Sequence, residues 1–535
     1  MSANPDLELK RPSATTELSL LLDVGSAWTK ASVVARARGR WRIVAHAAQP
    51  SAWGEDELRA TLEARLRPVT DRRLTDQLGR LLATAPRISC HTPRRAGRLG
   101  LAAVSAELSG ATARRVAESA GWLVVEEATA DDGRSLVDRL AALQRAEVDA
   151  WLLSGGFDHG RADQALEMAG LVAAARGDST APVVWAGSAQ LADEVVHLFE
   201  EGAVQVVPNV RPSADQELPA PLRGVLEELL QRLVEPGGVR QLATMAFRRS
   251  VAQLAASTMR RVVGVDLGAR YLTWVRADET GAVESRVFAG GGLAAASLVG
   301  AGVAGRLARQ LPLAIDELAV ADALENLHAR PGTVPQSEDE LAIMHVAAWR
   351  LLANASESER PTGIDLLIGA GRTIAAAPRP AQAAQLLLDG VRPVGVTQLA
   401  IDPAGVLGPL GALEDGEIGE GMGVLRDDML VPLGAAVVTR GGRPGQAAMR
   451  VTVRRAGWPE IGPLELRTGQ LQVVPLGRGQ PAELEIELAP GVSLGAPRSG
   501  AARAQATVTG GVVGLILDAR DVPLTMPRRS EDRRA

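Results

Sequence analysis

The apolar positions change period along the chain. Residues 18–24, LSLLLDV, form a short apolar run closed by Gly25, and TKASVVARARGRWRIVAHAAQ continues it as two alternating segments joined at Arg38-Gly39-Arg40. Alternation over so few residues predicts strands, here a three-stranded meander. From Gly97 to about Glu235 the pattern switches to apolar runs, RLGLAAVSA, WLVVEEA, DAWLLSGG, PVVWAGS and AVQVVPN. Amphipathic helices are expected between and after them, near 110–120, 134–146, 161–176, 188–201 and 214–235. Strands buried on both faces read as near-continuous apolar runs, so this block predicts a doubly wound parallel sheet.

The segment RRVVGVDLGARYLTWVRADETGAVESRVF, Arg260 to Phe288, then repeats the opening logic of strand, Asp-x-Gly turn and two further strands. LLLDVGSAWTKASVVA and VVGVDLGARYLTWVRA align Asp23 with Asp266 and Gly25 with Gly268, which predicts an internal duplication. Helices are expected around 303–311 and 338–353, before the strand IDLLIGA runs into Gly369-Ala370-Gly371-Arg372-Thr373. A Pro/Gly-rich stretch from 402 to 445 precedes alternating segments that predict a small β domain. The expected division is an arm over 1–17, a first lobe over 18–96 and a doubly wound module over 97–255 that completes or is inserted in it. A second lobe over 256–440, a C-terminal β domain over 446–522 and a tail over 523–535 follow. The arm and tail are polar and expected to be disordered.

Of the 535 residues 46% are hydrophobic and 23% charged, enough to bury several cores. Lys+Arg at 58 against Asp+Glu at 63 gives a net charge of -5, so nothing forces a basic face and nucleic acid is not an expected partner. A single cysteine, Cys90, allows no intramolecular disulfide, and no Cys/His cluster has zinc-ligand spacing, which fits a reducing, cytoplasmic setting. The polar start lacks the apolar core of a signal peptide, and the weakly apolar stretch Ala289–Gly305 runs at once into Arg306 and Arg309, so no membrane span is expected. Only Lys10 and Lys30 are lysines. A lysine kept where arginine otherwise serves is a candidate for required chemistry, and Lys30 closes the first Asp-x-Gly motif.

A strand ending in Asp-x-Gly-Ser can turn N–H groups and a hydroxyl toward a phosphate while the Asp reaches a hydrated Mg²⁺. Asp23, Gly25, Ser26, Thr29 and Lys30 suit that task, Ser26 on a terminal phosphate and Lys30 on its charge. The same tetrapeptide also serves as an ordinary strand-to-hairpin turn. Asp266, Gly268 and Arg270 form the second copy, and Asp23 and Asp266 are the candidate Mg²⁺ carboxylates, acting through water. In IGAGRT, Gly369 and Gly371 let the backbone approach an adenosine, and Arg372 and Thr373 are placed to line ribose or base. Alone, that loop is a glycine-permitted turn. Two phosphate loops followed by a Gly-rich loop together point to a nucleotide cleft.

Other polar residues carry weaker signals. Asp158-His159-Gly160 follows a parallel strand but lacks the spacing of a base-off cobalamin site, so a loop-stabilising role is expected. His197 and His345 fall on predicted helices and read as surface or core residues. Cys90 has no base able to face it. Arg94, Arg95 and Arg98 read as a solvated face.

With these motifs in this order the chain resembles the actin, Hsp70 and sugar kinase ATPase superfamily. Within it, it resembles the glutamate mutase accessory proteins, the MutL or GlmL type, which are unrelated to the mismatch-repair protein of similar name. The resemblance runs from about 18 to 440 and rests on LLLDVGSAWTK, LGLAAVSAELSGATARRVAESAG, LLSGGFDHG, VVWAGSAQLADEVVHLF, VVPNVRP, RPGTVPQSEDEL and IGAGRTIAAAPRPAQAAQLLLDGVRPVGVTQLAIDP. It implies an α/β fold of duplicated actin-like, ribonuclease H-like ATPase lobes, with the doubly wound module inserted and the β domain appended. It also implies ATP and Mg²⁺ as ligands and a chaperone-like role, in which nucleotide-driven closure releases damaged cobalamin from an adenosylcobalamin-dependent mutase. Cobalamin then concerns this chain only through its client. Relatives continue the second loop as Asp-x-Gly-Gly with Thr soon after, whereas this chain has Ala269 and Arg270, so Arg270 either binds phosphate or fills an empty site. A non-catalytic scaffold and a small-molecule kinase of the same superfamily are the alternatives.

Overall fold

The computed structural model describes residues 18–37, 40–69, 76–160, 163–234, 241–311, 314–356, 361–424, 427–495 and 502–521. The expected arm and tail lie outside the described residues.

The first lobe begins with Leu18–Val24, which pairs antiparallel with Trp28–Ala37, and that strand with Arg40–Pro50. On its other side Leu18–Val24 pairs parallel with Arg87–His91, and a two-residue strand, Gln241–Leu242, adds parallel to that one. Numbering strands within the lobe, the order is 3-2-1-4-5. The second lobe repeats it. Val262–Leu267 pairs antiparallel with Tyr271–Ala277 and parallel with Leu366–Ala370, which pairs parallel with Gly395–Ile401. Val283–Ala289 lies outside Tyr271–Ala277, so the order is again 3-2-1-4-5. The duplication expected from the two Asp-x-Gly copies is therefore present in topology as well as in sequence.

The chain divides into two compact units, one within residues 1–92, 240–285 and 291–535 and the other within 93–239 and 286–290. The second unit enters the sequence between strands four and five of the first lobe. Its sheet runs Trp122–Thr129, Gly97–Ala103, Ala150–Ser154, Val183–Trp185, Val204–Val206, every pair parallel. This is the 2-1-3-4-5 order of a doubly wound fold. Its core includes Leu143, Trp151, Met168, Val172 and Trp185. After the third strand Asp158 accepts hydrogen bonds from Asn209 Nδ2 at 3.0 Å and Ala189 N at 3.3 Å, tying three loops together. Arg95 grips Asp149 through both terminal nitrogens.

Two expected boundaries move. The helix Ala243–Thr258, placed by the boundary at 255 with the doubly wound module, belongs to the unit holding the lobes. Its Phe247, Val251 and Leu254 share a core with Val262 and Val275, so burial against the second lobe's strands decides its allegiance. The C-terminal segment is not a separate domain either. Four of its strands form a sheet of their own, but Gly514–Asp518 pairs parallel with Val431–Val438, and Leu471–Val474 pairs with Gly514–Asp518. Both extend the second lobe's sheet to eight strands. A buried cluster fixes the seam: Arg520 donates to Asp518 at 2.8 and 3.0 Å and pairs with Asp389 at 2.9 Å.

Candidate functional site

The two Asp-x-Gly turns fold alike. In the first, Gly25 N–H donates to the Trp28 carbonyl at 3.0 Å; in the second, Gly268 N–H donates to the Tyr271 carbonyl at 2.9 Å. Each turn follows the first strand of its lobe, so Asp23 and Asp266 occupy equivalent positions, and both line one cavity of about 370 Å³ within the first unit. Gly25, Ser26, Lys30, Gly268, Gly371, Arg372 and Thr373 line the same cavity. Ser26 Oγ is buried there without a hydrogen-bond partner among the described residues. Buried hydroxyls are normally satisfied, so this one is a candidate contact for a ligand oxygen.

Lys30 Nζ donates to Asp23 Oδ2 at 2.9 Å. Burial alone would lower the ammonium's pKa, but Asp23, Asp266 and Asp402 outweigh it and hold the pKa above its usual value. Asp402 had no place among the expected site residues. It is 2% exposed and accepts from Val406 N–H at 3.1 Å and Leu407 N–H at 2.9 Å, and burial, with Asp23 adding, raises its pKa. Burial likewise lifts Asp266 to about 6, Lys30 opposing and Asp23 and Asp402 adding. Three carboxyl groups thus act on one ammonium, and full ionisation leaves a surplus of negative charge. Gly405, at φ +64°, lets the loop after Gly395–Ile401 press on this group, because a Cβ there would stand 2.6 Å from Lys30 Cδ. Cys90 is buried beside it, its thiol 3.8 Å from Asp23 Oδ1, and burial first of all raises its pKa, which keeps it a thiol.

The Gly-rich loop closes on the second turn. Gly371 has φ +82°, and a Cβ there would collide with the Leu267 carbonyl and stand 2.8 Å from Asp266 Oδ1. Arg372 then stacks on Trp28, its guanidinium carbon 3.7 Å from the ring centroid, and Trp28 Nε1 donates to the Gly332 carbonyl at 3.0 Å. Trp28 from the first turn therefore touches two segments of the second lobe, a contact that no local sequence pattern announces.

Three expected residues lie off the cavity lining. Thr29 is 7% exposed and its hydroxyl pairs with Ser51 Oγ at 3.0 Å, which in turn donates to the Gly25 carbonyl at 2.7 Å, so Thr29 braces the turn from behind. Neighbouring strand residues face opposite ways, and Lys30 takes the cavity side. Arg270 is exposed and absent from the lining. Gly369 is buried within its strand, where a Cβ would press on Leu387 at 3.1 Å. Conversely His345, read as a surface or core residue, lines the cavity. Among the described residues no group of three or more His, Cys, Asp or Glu is placed to hold a metal ion. No helix of the described residues is long and apolar enough to cross a membrane.

Comparison with known proteins adds a family. Structurally the chain is similar to nucleotide-free acetone carboxylase, solved for the mechanism of ATP-dependent acetone carboxylation, at 10% identity and TM-score 0.32, over 85% of this chain and 82% of that one. It is similar to the activator of 2-hydroxyisocaproyl-CoA dehydratase from Clostridium difficile with bound ADPNP at 9% identity and TM-score 0.26, over 76% and 97%. For component A of (R)-2-hydroxyglutaryl-CoA dehydratase from Acidaminococcus fermentans the values are 10% and 0.25, over 75% and 98%. At such scores the repeated 3-2-1-4-5 strand order remains the ground for the fold. No curated protein matches the sequence. The profile of the MutL protein family matches residues 19–269, a span that takes in the first Asp-x-Gly turn, residues 93–239 of the inserted unit and the start of the second turn. Over residues 19–269 the chain is similar to the MutL protein family.

Proposed function

We propose that the chain binds MgATP in this cavity, hydrolyses it, and serves as an accessory protein for an adenosylcobalamin-dependent mutase such as glutamate mutase. The observation that carries the reading is the pair of matching turns, Asp23-x-Gly25 and Asp266-x-Gly268, on one cavity with an unpartnered Ser26 hydroxyl and an ammonium held by surplus carboxylate. The donor set fits Mg²⁺, which keeps most of its waters and takes only one or two carboxylates. Asp23 and Asp266 would hold it through water, and the ion would supply neutralisation of phosphate charge. Ser26 and the turn N–H groups would hold the terminal phosphate, Lys30 would balance its charge, and Arg372 and Thr373 would border the nucleoside. The family match supports an accessory role, and the client, its cobalamin and a cytoplasmic setting follow from that role.

Calorimetry tests binding: folded protein titrated with ATP and Mg²⁺ at millimolar concentration gives heat, and no heat removes the reading. Phosphate release without an acceptor, in the presence of the client mutase, then separates a hydrolase from a kinase. A second reading, a non-catalytic scaffold, is favoured by Ala269, which restricts the second turn, and by Arg270, exposed and off the cavity. ATP binding with no turnover above a protein-free control selects it. Co-purification from cells, with identification of the captured mutase subunits, tests the partner.

A further inference from the structure

Part of the cavity wall comes from two helices, Glu338–Ala355 and Pro380–Val391, packed along each other. Leu341, Met344 and Leu386 give it apolar surface, and Glu338, His345 and Gln382 are its polar side chains. His345 Nε2 is buried with no hydrogen-bond partner among the described residues. Burial lowers the imidazole's pKa to about 4, so it is neutral near pH 7, and in the tautomer protonated at Nδ1 its Nε2 is an acceptor. Gln382 is held differently: its Oε1 accepts from Arg379 N–H at 3.0 Å as part of the cap of its own helix, which leaves the NH₂ group as its free end. The unpartnered His345 Nε2 and the Gln382 NH₂ group, beside the apolar surface of Leu341, Met344 and Leu386, make a built site for the edge of a base.

We propose, resting on the nucleotide reading above, that His345 and Gln382 recognise the base of the bound nucleotide and select adenine. The N7 edge of adenine presents an amino donor beside a ring-nitrogen acceptor, the complement of the imidazole acceptor and the amide donor. Guanine presents two acceptors at the corresponding N7 and O6 positions, and one of them would face the imidazole acceptor. The phosphates would engage the Asp23 and Asp266 turns, so base recognition and phosphate binding rest on different residues and can be separated by mutation.

The test is calorimetric titration of the full chain with MgATP, MgGTP and magnesium triphosphate. Wild type is expected to bind ATP tighter than GTP. His345→Phe keeps a ring at the site and removes both nitrogens; it is expected to weaken ATP at least tenfold, abolish the preference over GTP and leave triphosphate affinity unchanged. Gln382→Leu is expected to act in the same direction. His345→Phe binding ATP like wild type overturns the proposal, and so does a variant that loses triphosphate together with ATP, since His345 then acts structurally. A wild type that binds triphosphate but shows no preference for ATP over GTP overturns this proposal alone. One that binds none of the three overturns the nucleotide reading and this proposal with it.

Discussion

Asp266 is held at about 6 because burial and two neighbouring carboxylates outweigh the attraction of Lys30. The folded carboxyl therefore binds its proton more tightly than the unfolded one, which titrates near 3.8. Its contribution to stability is full below the unfolded value and is lost as pH rises through about 6. Asp266→Asn removes that loss. At pH 7.5 the variant is expected to be more stable by about 1–3 kcal/mol, from roughly 1.4 kcal/mol per pK unit, with the gain shrinking by roughly half at pH 5. Thermal melts at the two pH values check it, and an equal or lower melting temperature at pH 7.5 contradicts it. The same variant should lose the Mg²⁺-dependent part of ATP affinity, the sign of a carboxylate kept for function at a cost in stability. Lys30 gives the opposite case, because Lys30→Ala leaves three carboxyl groups without their counter-charge. We expect ATP affinity to fall by roughly 1.5–3 kcal/mol, with Lys30→Arg only partly tolerated because a planar guanidinium does not replace a compact ammonium held against Asp23. Equal affinities for wild type and Lys30→Ala, read by calorimetry, would make the residue incidental.

At the scale of elements, the loop Gly371-Arg372-Thr373 depends on one backbone conformation, φ +82° at Gly371, and on the space a missing Cβ leaves for the Leu267 carbonyl. Gly371→Ala is therefore expected to cost about 1–3 kcal/mol in stability and to displace Arg372 from Trp28. Denaturant unfolding measures the first effect, and a change in Trp28 fluorescence, compared in a Trp28→Phe background, measures the second. This loop, the two turns and the parallel strands of the inserted unit were legible in sequence because each is local: an apolar run, then Asp-x-Gly or Gly-x-Gly. What escaped is what locality does not encode. Gln241–Leu242 is too short to show any period, yet it is the fifth strand of its lobe. Gly514–Asp518 reads as one more strand of a β segment, and only its distant partner Val431–Val438 makes it part of the second lobe. Asp402 looks like the start of a Pro/Gly loop, although, like Asp23 and Asp266, it stands at the end of an apolar strand, and that repetition was the available signal. Thr29 and Arg270 lie off the cavity lining for a reason of geometry, since nearness to a turn in sequence says little about which side of the pleat a side chain takes.

For the molecule as a whole, the Arg520 cluster decides whether the C-terminal segment behaves as part of the second lobe. Arg520, Asp518 and Asp389 are each no more than 6% exposed, and Asp389 lies on the helix Pro380–Val391, which also carries Gln382. Removing one member of a buried ion group leaves its partners uncompensated, at about 3–5 kcal/mol. Arg520→Ala should lower the melting temperature accordingly and expose the C-terminal strands to protease, whereas Arg503→Ala, at a solvent-exposed pair with Glu487, should change little. Equal protease resistance in the two variants would count against the seam. The place of the inserted unit has a further consequence, for synthesis on the ribosome. The first lobe's fourth strand ends at His91 and its fifth begins at Gln241, so the sheet cannot be completed until the whole intervening unit has emerged. At roughly 5–20 residues per second that delay is on the order of ten to thirty seconds. The part of the inserted unit within 93–239, which holds its sheet and core, is free to fold during that time, while the nascent lobe carries an unfinished sheet edge beside Arg87–His91, the kind of edge that invites pairing with other chains. Chaperone dependence during translation should therefore be concentrated on that edge, and it should end as Ala243–Thr258 arrives to cover the strands.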